Sequence, residues 1–409
     1  MYLSGIPSGM LVDNKGPRPP IMIGAVLLFV GYYPIRLAMV HGQGFMGVPA
    51  LCFFSTLTGI GSCCAFGGAL KMAALNWPKH RGTATALPLA AFGLSAFFFS
   101  CLSSWLFPGN TESFLLVLAV ATSALIFVSF FFCRIVPVPG TYAAVPTADP
   151  DNNRLHRTRS GENRHSSHAY DDHDTIDIRG WALVRNADFW LLFTMLGTLC
   201  GVGLMTINNI GHNAQALWSD FDPSKSPEFI QTRQSIHVSI LSICSFTGRM
   251  LSGISSDILV KKFHIQRLWL TVFSSVLFFL GQLAALNISN PYYLWIVSSL
   301  NGLGYGFLFG VSPTIVSEAF GVHGLSTNWG TMTIAAVISG NTLNLFYGRV
   351  YDDHSVVFPD GKRECSLGLD CYRNAYFVSL IFVFLGFGVA LVGISRNRAL
   401  ARTLARGKI

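Results

Sequence analysis

The sequence predicts an all-α protein that crosses a membrane many times, and three observations carry that reading. Ten stretches of about 20 apolar residues begin at Ile21, Val48, Thr83, Ser113, Phe189, Ser235, Leu268, Tyr292, Trp329 and Ala375, and a hydrocarbon core of ~30 Å asks for about 20 residues of helix. Lipid offers no partner to an open backbone amide, so each stretch must be helical. Composition agrees: 51% of residues are hydrophobic and 12% charged, with 40 glycines and 33 phenylalanines, too little charge for the surface of a soluble chain of this length. The basic residues gather on one side. Nineteen of the 28 fall in the loops and tail on the side of Arg134, 6 in the opposite loops and 3 within spans or at their ends, the positive-inside distribution of a cytoplasmic face. Anionic lipid accounts for the net charge of +8, which asks for no nucleic-acid partner.

The elements follow in order. Residues 1–12 are apolar and carry Gly5, Pro7 and Gly9, yet a helix of that length covers only about 18 Å. They have neither the basic start nor the cleavage site of a signal peptide, so they read as the cytoplasmic half of a span whose beginning is absent. The turn after them holds Asp13, Lys15, Gly16 and Arg18. The span from Ile21 carries Pro34 and Arg36, the deepest basic residue of the chain. Its planar fork offers a carboxylate two donors, or else its stem snorkels to the outer surface. The span from Val48 contains Cys63 and Cys64, which behave as small apolar residues, and ends near Lys71. Two further spans start at Thr83 and Ser113.

Hydropathy then collapses. Residues 134–186 carry Pro137, Pro139, Pro146 and Pro150, scattered charge, and His156, His165, His168 and His173, the composition of a disordered linker. Those histidines read as a solvated run with no metal site. Arg157 to Ser160 and Arg164 to Ser167 are short patterns that basophilic kinases accept.

Six spans make up the second half. The first carries Asn208 and Asn209, and the second carries His237, Arg249, Gly253 and Asp257. Lys71 and Arg249 lie toward cytoplasmic span ends, where they snorkel or pair with Asp13 and Asp257. Asn301, Asn341 and Asn344 lie on the fourth and fifth spans; an amide in lipid either bonds a neighbouring helix or meets a solute. Gly302, Gly306 and Gly310 recur every four residues ahead of Pro313, a smooth ridge for close helix packing. Cys365 and Cys371 share a polar outer loop, and an oxidising compartment would join them as a disulfide. Four units result: 1–133, a first bundle of the partial helix 1–12 plus four spans; 134–186, the cytoplasmic linker; 187–395, a six-helix bundle; and 396–409, a basic cytoplasmic tail.

The string Gly9-Met-Leu-Val-Asp13 and the string Gly253-Ile-Ser-Ser-Asp257 both read glycine, three residues, aspartate, then a basic loop, the internal symmetry of carriers built from duplicated halves. Glycine lets a neighbouring helix approach, and the aspartate reaches the membrane surface to meet an arginine or a helix N-terminus. Gly9, Asp13, Gly16 and Arg18 resemble the loop signature of the major facilitator superfamily, with a second copy at Arg249, Gly253 and Asp257 that lacks the later glycine. Arg81 to Pro88, Ser317 to Gly321 with Asn328-Trp329-Gly330, and Cys371-Tyr372 are similar to the nodulin-like and monocarboxylate-transporter-like branch found in fungi and plants. The resemblance implies twelve helices in two bundles around a central cavity, of which this chain supplies the second to the twelfth.

Enzyme classes find little support. The chain has no Walker lysine loop and no Gly-x-Ser-x-Gly elbow, and Asp13, Glu112, Asp188, Asp257 and Glu318 all fall at span ends, so no carboxylate pair lies at membrane depth. The expectation is a secondary carrier, without cofactor or metal, that moves a small organic solute such as a monocarboxylate by alternating access. Gly9, Asp13, Gly16, Arg18, Arg249, Gly253 and Asp257 would form its gate. Arg36, Asn208, Asn209, Asn301, Asn341 and Asn344 are candidates for the cavity. The competing expectation is a membrane protein of the same build that senses or binds a partner without transport, or an inactive truncated product. The expected setting is the plasma or vacuolar membrane, as a monomer whose partners are the bilayer and the solute.

Overall fold

A computed structural model describes residues 2–42, 44–107, 110–136, 177–357 and 363–406 and is helical almost throughout. The linker residues 137–176, with the four histidines and both kinase patterns, lie outside the described residues. The first group of helices is α1 (Gly5–Lys15), α2 (Arg18–His41), α3 (Val48–Asn76), α4 (Arg81–Leu106) and α5 (Thr111–Phe132). A single turn, α6 (Trp181–Val184), precedes the second group: α7 (Ala187–Phe221), α8 (Pro227–Phe263), α9 (Leu268–Asn287), α10 (Leu294–Phe320), α11 (Leu325–Asp353) and α12 (Arg373–Arg406).

Local chemistry sets the ends. The Asn110 side chain accepts from the Ser113 amide at 3.0 Å and so caps α5, and Asn186 caps α7 by accepting from the Asp188 amide at 2.8 Å. Gly16 (φ +80°) ends α1 and Gly321 (φ +96°) ends α10, both in the left-handed region that glycine enters without cost.

Among the described residues nine helices are long and apolar enough to cross a membrane: α2 to α5, α7 to α10, and α12. The tenth expected span, α11, is a helix of 29 residues, but its Ser, Thr and Asn content sets it apart from those nine. Its polar positions turn toward protein: Ser326, Asn328 and Thr333 are buried. Helices α7 and α8 run longer than the sequence suggests, at 35 and 37 residues, or roughly 52 and 55 Å. Their surplus projects on the outer side, where a short hairpin pairs Val356 with Glu364 and Val357 with Arg363. The Cys365–Cys371 disulfide, with Cα atoms 6.0 Å apart, closes the loop that follows it.

The chain forms two bundles, α1–α5 and α7–α12. In the second, α10 is buried along most of its length and packs on α8 through the glycine ridge. A Cβ on Gly302 would stand 2.8 Å from the Leu241 carbonyl, and one on Gly306 would stand 2.9 Å from the Gly248 Cα. A neutral hydrogen-bond network fills the same bundle. The Tyr347 hydroxyl donates to Asn213 Oδ1 (2.6 Å), Asn213 Nδ2 to the Tyr376 hydroxyl (2.6 Å), Gln282 Nε2 to Asn301 Oδ1 (2.7 Å), and Ser379 Oγ to Gln282 Oε1 (2.5 Å). All of these groups are buried, and each being partnered is what makes their burial tolerable.

Between the bundles, α1 lies on α11 and α4 lies on α8. The two contacts are equivalent halves of one arrangement, because α1 and α8 carry the two glycine–aspartate strings. Residues 177–186 pass beneath the second bundle as a strap. The Ile178 amide donates to the Phe320 carbonyl (3.0 Å), and Asn328 Nδ2 donates to the Ile178 carbonyl (2.9 Å). Leu183 is buried in the core. Within the strap, the Arg179 guanidinium bonds the Asp177 carboxylate and holds its pKa below the usual value.

Candidate functional site

Each glycine–aspartate string builds a latch on the side that carries most of the basic residues. At the first, α1 comes so close to α11 that a Cβ on Gly9 would collide with the Ser326 backbone, and one on Gly5 would stand 2.9 Å from the Gly330 Cα. That approach brings Asp13 to the first turn of α11. Asp13 Oδ2 accepts from the Thr327 amide and hydroxyl, each at 2.8 Å, and Oδ1 accepts from the Ser326 amide at 3.3 Å. A carboxylate here satisfies orphan N–H groups and meets the positive end of the helix. Lys71, from α3, completes the latch: its ammonium donates to Asp13 Oδ1 (2.8 Å) and to the carbonyls of Val322 (2.7 Å) and His323.

The second latch repeats the chemistry with the bundles exchanged. Asp257, on α8, accepts from the Gly82 amide (3.1 Å), the Thr83 amide (2.8 Å) and the Thr83 hydroxyl (2.8 Å) at the start of α4. A Cβ on Gly253 would collide with Ala86, so this glycine too is what permits the approach. The cation is Arg267, at the start of α9. Its Nη1 donates to Asp257 Oδ1 (2.9 Å) and Ser256 Oγ (2.6 Å), and its Nε donates to Glu318 Oε1 (2.7 Å). Asp13, Lys71, Asp257 and Arg267 side chains are all at most 6% exposed, so these pairs are desolvated and water screens them little. Together the two clusters join the bundles at the basic end of the seam between them.

Immediately above the first latch lies a narrow cavity of about 50 Å³ between α1, α3, α4, α10 and α11. Its walls are small, aliphatic or aromatic: Tyr2, Phe66, Phe92, Phe309 and Trp329 among them, with Cys63 on the α3 side. Arg249 sits behind this wall. The sequence expectation that it pairs with Asp257 is corrected: eight residues, or about 12 Å along the helix, separate the two, and Arg267 takes the aspartate instead. Arg249 is 2% exposed and turns into the seam, where its Nη1 donates to the Leu89 carbonyl of α4. Three rings cover the guanidinium, Phe92 at 5.6 Å, Phe309 at 5.7 Å and Tyr305 at 5.8 Å, while its Nε–H has no acceptor. A buried cation held by rings and one neutral carbonyl is poised for an anion.

The other sequence candidates lie elsewhere. Gly16 caps α1, and Arg18 lies over the Phe130 ring at 5.2 Å. Arg36 donates to Glu112 at 2.7 Å and ties α2 to the outer start of α5. Asn209 donates to Asn344 at 2.8 Å, joining α7 to α11, and Asn301 belongs to the buried network. Asn208 and Asn341 are exposed, the latter bonding the Val337 carbonyl of its own helix. None of the six cavity candidates, Arg36 and these five asparagines, lines the cavity. Sequence reasoning missed Arg267, Thr83 and Thr327, whose roles arise from helix crossings, and the cavity aromatics, which do not stand out among 33 phenylalanines. Only Trp329 carried a signal, inside the Asn328-Trp329-Gly330 string. Among the described residues, no group of three or more His, Cys, Asp or Glu is arranged to hold a metal ion.

Comparison with known proteins places this geometry. A family model described as Major Facilitator Superfamily matches residues 1–342. An uncharacterized membrane protein of Saccharomyces cerevisiae is 29% identical, over 98% of this chain and 88% of its own length. A protein of Neurospora crassa named "Probable transporter mch1" is 24% identical, over 94% of this chain and 79% of its own length. The crystal structure of a variant of the Escherichia coli fucose:proton symporter FucP aligns with a TM-score of 0.56 at 12% identity, covering 94% of this chain and 88% of that one, a likeness of fold.

Proposed function

The chain belongs to the Major Facilitator Superfamily, and from that premise we propose that it is a secondary transporter that moves a small organic anion, of the monocarboxylate class, by alternating access. The observation that carries the proposal is Arg249: a guanidinium 2% exposed, in the seam beside the cavity, with no carboxylate partner among the described residues. A carboxylate supplies what that site lacks, two charged acceptors for a planar fork. The aromatic wall suits the apolar body of such a solute, and the similarity to the monocarboxylate-transporter-like branch points the same way.

The cycle follows from the latches. With Asp13 and Asp257 capping α11 and α4, the cytoplasmic mouth is shut and the solute reaches the cavity from outside. Release of both caps lets the bundles rock apart on the inner side and frees the solute there. Glu112 and Arg36 sit at the opposite, outer end, where no equivalent pair of caps joins the bundles among the described residues. The carrier works as a monomer in the plasma or vacuolar membrane.

Uptake into liposomes tests the proposal, with radiolabelled acetate, L-lactate, pyruvate and benzoate offered to the purified chain and to its Arg249→Gln variant. Saturable uptake of at least one monoanion, abolished in the variant and partly kept by Arg249→Lys, is the expected result. Uptake that survives Arg249→Gln, or no uptake of any of the four, overturns it.

A further inference from the structure

Arg249 bonds across the seam beside the cavity, and its partner is a backbone group. Resting on the anion site proposed above, we propose that Arg249 is a third latch between the bundles, one that the transported anion itself releases, and that Gly93 is the residue that positions it.

The geometry is specific. Arg249 belongs to α8 in the second bundle, while the Leu89 carbonyl that accepts from its Nη1 belongs to α4 in the first. The rings over the guanidinium also come from both sides, Phe92 from α4 and Tyr305 and Phe309 from α10. A Cβ at position 93 would stand 3.0 Å from Nη1, 3.3 Å from Cζ and 3.4 Å from Nε, so the guanidinium lies against bare backbone, and a methyl there would make it give by a few tenths of an ångström. The Asp257 cap on Gly82 and Thr83 joins the same pair of helices, about 9 Å lower by the six residues between Thr83 and Leu89. Helix α4 is therefore pinned to α8 at two heights.

The upper pin is the weaker. The Leu89 carbonyl is neutral, and Arg249 Nε–H gains nothing from it, whereas a carboxylate offers charge and two acceptors at once. An anion that reaches the guanidinium from the cavity competes on favourable terms, draws it off α4 and leaves the lower, Asp257 pin in place. An occupied carrier then opens inward more readily than an empty one. Exchange with solute on both sides accordingly outruns net uptake.

The accessibility of Cys63, which lines the cavity, reports on this directly. In a chain retaining Cys63 as its only free thiol, an impermeant maleimide is applied from the cytoplasmic side with and without saturating concentrations of whichever of acetate, L-lactate, pyruvate and benzoate the liposomes accumulate. The parent is expected to label slowly when empty and several-fold faster when loaded. Gly93→Ala and Arg249→Gln are expected to label about tenfold faster than the parent without any solute, the worth of one hydrogen bond, and Gly93→Ala also to raise KM. Parent-like labelling of both empty variants, or a solute response in Arg249→Gln as large as in the parent, overturns the latch. If no solute accumulates, the anion reading falls, and the solute-free comparison still decides whether Arg249 pins the seam.

Discussion

Removing the charge from Asp13 or Asp257 should swing the carrier toward its inward-open form by a calculable amount. Each carboxylate accepts two backbone amides and a threonine hydroxyl across the seam, and is held by a buried cation of its own bundle. Hydrogen bonds to a charged acceptor contribute about 1.5–3 kcal/mol each, and neutral ones about 0.5–1.5. An Asp→Asn change keeps one oxygen but turns the other acceptor into a donor facing an amide. In the open form water meets the same groups, so the loss falls on the closed form alone. A net shift of about 2–3 kcal/mol per latch follows, or about 30- to 150-fold in the closed-to-open ratio. The two latches share no residue and act on different helix pairs, so the double variant should shift by about the sum. The assay is the rate of cytoplasmic maleimide labelling of Cys63, which rises with the open fraction. Labelling within twofold of the parent in both single variants would refute the reasoning, as would a double variant no faster than either single one.

Other consequences are open to simpler measurements. Gly306→Val should wedge α10 off α8, where a Cβ already finds the Gly248 Cα at 2.9 Å; a loss of about 2 kcal/mol or more should show as a lower melting temperature in nanodiscs. Reducing Cys365–Cys371, or replacing both residues with serine, frees a short outer loop and should cost about 2 kcal/mol, again as a fall in melting temperature, with the latch reporter unchanged. Asn328→Ala removes the side-chain donor to the Ile178 carbonyl. It should expose the strap, read as faster trypsin cleavage after Arg179 and Arg185 at unchanged melting temperature.

Span by span, the membrane fold could be read from apolar length alone, because lipid imposes one requirement on every crossing segment. It was least legible where protein replaces lipid as the neighbour. Helix α11 is polar along the side that meets α1, and α7 and α8 continue past the bilayer into water, so a window tuned to hydrocarbon misjudges all three. The gate was half legible. Glycine followed by aspartate marks the place where a helix comes close and a carboxylate waits, and both strings do that. Their cations were hidden, because Lys71 and Arg267 arrive on other helices at positions set by crossing geometry. Arg249 misled for a related reason: sharing a helix with Asp257 made it look like part of the gate, whereas two turns of rotation and rise carry it into the seam. The cavity wall could not have been read, since an aromatic ring that meets solute and one that meets lipid look alike in sequence.

The two bundles differ in how far each covers its own surface. In the span windows of α2 to α5, 11–28% of residues are buried, against 33–72% in those of α7 to α10 and α12. The first half therefore leaves more of its span surface uncovered by its own side chains, whereas the second is pinned from within by the Asn213 and Gln282 network. Stripping annular lipid should soften one half and spare the other. A machine with one stiff jaw and one pliant jaw pivots on the stiff one, and the thickness and saturation of the host bilayer then become a throttle on how fast it turns over.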